Sequence, residues 1–158
     1  MDETILPTDS IVDAVRALEP LVEFGPAGSE AGLAPIERRL GTRLPEALRS
    51  FLLASDGATI GVRLTSGELE PNAIDLVWSA AEIQRHLETN DAILPRPADV
   101  LFFAGAGADG ILFGHPIRGD AGIGPDVVSW DPLEEGVMAK APSFRAWVEG
   151  WLNGTLTV

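Results

Sequence analysis

The sequence predicts a single α+β domain: a mixed or antiparallel twisted sheet of about five to six strands, covered by helices. Three observations lead there. Helical periodicity dominates the first third of the chain and returns in one helix over 80–88 and in another near the end. The apolar runs between are short and separated by turn residues rather than by long crossover helices. The 158 residues suit one domain over 1–158, with a core over about 10–153.

The elements follow in order. Ser10 caps a helix over 11–19, with Ile11, Val15, Leu18 and Val22 on one face, and Pro20 ends it. Gly25-Pro-Ala-Gly-Ser29 reads as a loop. Pro35 suits the first turn of a short helix over 35–40, stopped by Gly41. Pro45 and Glu46 open the next, whose stripe is Leu48, Phe51 and Leu52, and Asp56-Gly57 stops it. Residues 62–64 alternate as a half-buried strand, and 74–77 form a second. Ser79 and Glu82 make a capping box for a helix over 80–88. Residues 100–104, 111–113 and 126–130 are three further strands. Ser143 caps a final helix whose face is Phe144, Trp147, Val148, Trp151 and Leu152.

Charge narrows the partners. Eleven Lys and Arg against 24 Asp and Glu give a net charge of −13, and Lys140 is the only lysine. Nucleic acid and anionic membrane surfaces are excluded as partners because the phosphate term is repulsive. A surplus of acid serves solubility, and it also suits a basic protein partner drawn in by long-range steering. There is no Cys, the amino-terminal residues lack the basic start of a secretory leader, and no apolar run is long enough to span a bilayer. The expected setting is the cytosol.

Catalytic motifs are sparse. Gly105-Ala-Gly107-Ala-Asp-Gly110 spells G-x-G-x-x-G after an apolar strand, as a dinucleotide-binding turn does. Such a turn needs a helix to begin within it and face the pyrophosphate. Here Ile111-Leu-Phe113 follows, then Gly114 and Pro116. The stretch therefore reads as a β-hairpin with Ala108-Asp109-Gly110 at its turn, and no cofactor is expected. His86 and His115 have no second ligand at metal spacing and read as surface or turn residues. No nucleophile elbow occurs. Acids recur in pairs, Glu68 with Glu70, Asp120 with Asp126, and Asp131 with Glu134 and Glu135. At this acid content solvated loop charges explain them, with a carboxylate-pair hydrolase as a minor alternative. Trp147 and Trp151 read as core, whereas Trp78 and Trp130, at strand ends, are candidate binding anchors.

The order of these pieces resembles the SUKH superfamily, which groups bacterial immunity proteins with the yeast cell-wall synthesis regulators. Ile36-Glu37, Leu40-Gly41, Leu44-Pro45, Leu48, Phe51-Leu52 and Asp56-Gly57 match its amino-terminal signature. Leu48 stands where an aromatic is usual, and Asp56 where Asn is. Trp78-Ser79 before Glu82-Ile83, the glycine-rich hairpin, Val127-Val128-Ser-Trp130-Asp131 and Ser143-Phe144 match the later segments. The resemblance implies a non-enzymatic binding domain. The expected role is an immunity protein that neutralises a cognate toxin, often a nuclease with a basic cleft. The alternative is a regulatory protein-interaction module. The expected contacts are Glu68, Glu70, Asp109, Asp126, Asp131, Glu134 and Glu135, with Trp78 and Trp130 as anchors.

Overall fold

The computed structural model describes residues 22–63, 66, 69–88, 97–105, 111–134 and 136–153. The helix expected over 11–19 lies outside them. The architecture is α+β. Seven strands form an antiparallel meander in which each strand pairs with its neighbours in sequence. They are β1 (Val22–Phe24), β2 (Ala58–Arg63), β3 (Leu69–Val77), β4 (Val100–Gly105), β5 (Leu112–Pro116), β6 (Val127–Trp130) and β7 (Val137–Ala141). Among the described residues, Asp75 with Gly105 is the one register pair joining β3 to β4, so the sheet divides into a three-stranded and a four-stranded part. At this seam the Trp78 backbone N–H also donates to the Phe103 carbonyl at 2.7 Å. Four α-helices are seen among the described residues: α1 (Glu30–Leu40), α2 (Glu46–Ala54), α3 (Ala80–Glu88) and α4 (Phe144–Asn153).

The sheet is wider than the five to six strands expected, because both outer strands escape pattern reading. Val22, expected on a helix face, lies instead in β1, whose register runs Val22 to Ile60 and Phe24 to Ala58. β7 follows Gly136, which takes φ +100°, and among the described strands it borders only β6. The first described helix begins five residues before Pro35. Ser29 is its N-cap, and its hydroxyl accepts from the Gly32 N–H at 3.1 Å. Pro35 therefore sits inside the helix, where it withholds one intrahelical donor from the carbonyl four residues back. Gly41 ends the helix in the left-handed conformation, at φ 71°. Pro45 is the N-cap of α2 rather than its first turn.

The capping residues of the later helices are where the sequence puts them. The Ser79 hydroxyl accepts from the Glu82 N–H at 3.2 Å at the start of α3. The Ser143 hydroxyl accepts from the Ala146 N–H at 3.0 Å at the start of α4.

β4 is buried along its whole length and carries helices on both faces. On one face the Phe103 ring meets Trp147 of α4 edge-on, with centroids 5.1 Å apart, and Phe144 packs edge-on against Phe51 of α2 at 5.7 Å. On the other face Val100 and Phe102 form a floor beneath Leu40 of α1 and Ile83 and Leu87 of α3. Leu48 is fully buried, so the aliphatic at this position fills the place where an aromatic is usual. Asp56 accepts from the Ala80 N–H at 2.7 Å and so caps α3 from a distance in sequence.

A buried cation joins the first two described helices. Arg49 of α2 donates from Nε to Glu37 at 3.1 Å and from Nη1 to Glu30 at 2.9 Å, both carboxylates belonging to α1. Glu37 also accepts from the Leu44 N–H at 2.8 Å, which fixes the turn between the helices. The two carboxylates raise the Arg49 pKa further.

Candidate functional site

Antiparallel alternation decides which expected contacts can act together. The β2–β3, β4–β5 and β6–β7 connections open at one end of the sheet, and the β5–β6 connection at the other. Leu112 pairs with Trp130 and Gly105 with Leu112, so Trp130 lies at the first end. Asp131 and Glu134 follow it there. Glu70 lies towards this end by its backbone position in β3, opposite Val62. Glu68, Asp109 and Glu135 lie outside the described residues.

Two expected contacts belong elsewhere. Trp78 is no anchor. It is only 4 % exposed, and its ring stacks on His86 of α3 with centroids 3.9 Å apart and planes 8° from parallel. A tryptophan at a strand end is drawn inside when the following helix folds back over it. Asp126 sits at the opposite end of the sheet. Its carboxylate takes a bidentate pair from Arg118, at 2.8 and 2.9 Å. Those hydrogen bonds hold its pKa below the ordinary carboxylate value. Its charge is already answered within the fold.

His115 is neither a surface nor a turn residue. It lies in β5 and is fully buried. Its Nδ1 donates to the Asp126 carbonyl at 2.9 Å, and its Nε2 has no hydrogen-bond partner. Burial lowers its pKa to about 4, against the weaker pull of the neighbouring carbonyls. The imidazole is therefore neutral in the fold, with the proton on Nδ1.

The β6–β7 end has a distinct surface. Asp131 accepts from the Leu133 N–H at 2.9 Å and closes a turn that carries Leu133 outward. Leu133 is 86 % exposed, Met138 55 % and Val137 43 %, the large exposed hydrophobics among the described residues. Glu134 is exposed beside them, and Trp130 is half-buried, 6.1 Å from Phe102. Sequence reasoning found the acids here and missed the apolar residues. Their signal is the run Val137-Met-Ala139, which shows no alternation and so belongs to no half-buried strand.

Two concavities are seen among the described residues. The larger, about 520 Å³, lies over Val100 and Phe102, with Arg39, His86 and Glu88 along its walls. The smaller, about 260 Å³, contains Glu23, Asp56 and Glu82. Asp56 and Glu82 are both engaged in capping α3. No group of three or more His, Cys, Asp or Glu side chains is placed to hold a metal ion among the described residues. Nor is any described helix long and apolar enough to cross a membrane.

These features match a family as a whole. The model of the SMI1 / KNR4 family (SUKH-1) matches residues 28–150, from just before α1 to the seventh residue of α4. The chain belongs to the SMI1 / KNR4 family. No match to a curated protein was found. Membership carries a general property to this SUKH-1 chain, that of a protein-binding domain of the interaction or immunity type. The departures at Leu48 and Asp56 leave that assignment intact, because both residues perform the packing and capping tasks of their positions.

Proposed function

We propose that this SUKH-1 chain is an immunity protein. It binds the catalytic domain of a cognate toxin, of the nuclease type with a basic cleft, blocks that cleft, and performs no catalysis itself. The observation that carries the reading is the β6–β7 end of the sheet. There Asp131 and Glu134 border exposed Leu133, Val137 and Met138, on a chain of net charge −13. An apolar centre with an acidic rim suits a basic protein surface: the centre supplies burial and the rim supplies steering. The smaller concavity supports the same reading, since two of its three acids, Asp56 and Glu82, are engaged in helix capping.

The test is co-expression with a nuclease toxin domain, sought first in the gene next to the one for this chain. Growth is restored by this chain, and the purified pair forms a stoichiometric complex in which the toxin's nuclease activity is lost. If the toxin remains lethal, or cleaves nucleic acid at an unchanged rate within the complex, the immunity reading is wrong.

A further inference from the structure

β7 ends the sheet, and its outer edge has no strand beside it among the described residues. Proteins that leave such an edge exposed guard it with charge, bulges or very short strands, since its backbone donors and acceptors are a template for another chain. Here the guard is partial. The register passes from Val127 opposite Ala141 to Val128 opposite Ala139, so Lys140 is the extra residue of a bulge. A bulge twists the edge and interrupts pairing. The protection covers the carboxyl-terminal half of β7 and stops before Ala139.

The other half is open. Val137 and Met138 point to opposite faces of the sheet, as neighbours in a strand must, yet both are substantially exposed. An added strand would therefore meet partly exposed apolar side chains above and below. Before Val137, back along the chain, lie Glu134, Leu133 and Asp131.

We propose that the 137–139 edge is a strand-addition site, and that its occupant is an extended segment of a partner protein carrying basic residues. Main-chain hydrogen bonds to β7 supply the docking, and Val137, Met138 and Leu133 supply buried apolar area. Asp131 and Glu134 select basic side chains where the incoming strand runs off the edge. Charge also argues against a second copy of this chain, since two molecules of net charge −13 repel. This inference rests on the protein-binding reading and names the surface and the kind of partner.

The probe is a synthetic peptide alternating lysine and valine, added to the isotope-labelled protein. Binding is expected to shift the amide resonances of 137–139 and protect them from exchange, and to weaken as salt is raised. An alternating glutamate–valine peptide is not expected to bind. Val137→Lys and Met138→Lys, both at exposed positions, each weaken peptide binding by about tenfold with an unchanged unfolding midpoint. Met138→Thr, which adds no charge, weakens it less. The proposal is overturned by any of three results: no binding of the basic peptide, binding that is indifferent to these substitutions, or equal binding of the acidic peptide. A dimer in sedimentation that Met138→Lys dissolves also overturns it, by making the occupant a second copy. None of these measurements involves the toxin. A chain that fails to protect against the toxin yet binds the peptide at β7 refutes immunity and keeps the site, and the reverse result does the opposite.

Discussion

Mild acid should destabilise this protein through one side chain. His115 is buried in β5 with its Nδ1 proton given to the Asp126 carbonyl, so a second proton must go to Nε2, which has no partner. Phe103 and Phe144 lie beside the ring, with centroids at 5.1 and 6.4 Å, and solvate a cation poorly. The pKa falls from 6.5 to about 4 on folding. The unfolded chain therefore binds the extra proton more readily than the folded one. Stability is fully present above pH 6.5 and is lost as pH falls towards 4. At 1.36 kcal/mol for each pH unit of difference, the whole loss is roughly 3 kcal/mol. About 2 kcal/mol of it falls between pH 7 and pH 5. For a chain of this size that corresponds to roughly 4–8 °C in Tm. The assay is urea unfolding from neutral to mildly acid pH, on the parent and on His115→Asn. Asparagine places a donor near the Nδ1 position and does not titrate. The variant is expected to be less stable at neutral pH and to lose markedly less on acidification, while the common contribution of the surface acids cancels between the two. Parallel pH profiles for parent and variant would refute the reasoning.

Three further outcomes follow from other parts of the fold. Arg49→Ala strips the cation from Glu37, whose side chain is 16 % exposed, and should cost about 3 kcal/mol in chemical denaturation. Arg49→Met with Glu37→Gln should recover much of it, since no unpaired charge then remains. Gly114→Ala would place a methyl 2.4 Å from the Leu101 carbonyl oxygen and 2.7 Å from Val100 Cγ1, so it should lower stability by about 2 kcal/mol or prevent folding, as read by the unfolding midpoint and soluble yield. Asp131→Asn with Glu134→Gln should slow association with the toxin domain severalfold at low salt in stopped-flow, with dissociation little changed. An unaltered association rate would remove steering from the account.

Residues with a local task were legible from the sequence alone. Ser79 with Glu82, Gly41 and Ser143 cap or stop helices by rules that involve only near neighbours, and the structure keeps each in that role. G-x-G-x-x-G was separable from a cofactor turn because a strand, β5, follows it and pairs with β4. What sequence missed depends on distant contacts. β1 is three residues long and is defined by pairing with β2, so Val22 fitted a helical face equally well. β7 is exposed on both faces and shows no period. Pro35 imitated a helix start because the true cap, Ser29, lies in a loop rich in Gly and Pro. The burial of Trp78 and His115 comes from rings on other elements, His86 above one and Phe103 and Phe144 beside the other. At the candidate surface the acids were visible as charge. The apolar residues were not, because exposure follows from lying at the end of the sheet.

The meander has a consequence for how the chain acquires its structure. The β2–β3, β4–β5, β5–β6 and β6–β7 ladders each close a short loop, so little entropy is surrendered before their hydrogen bonds form. The exceptions are the β1–β2 connection, which carries α1 and α2, and the seam between β3 and β4, where α3 intervenes and Asp75 with Gly105 is the one register pair among the described residues. Contacts across these longer connections therefore cost the most chain entropy to form, and the hydrogen bond from the Trp78 N–H to the Phe103 carbonyl is one of them.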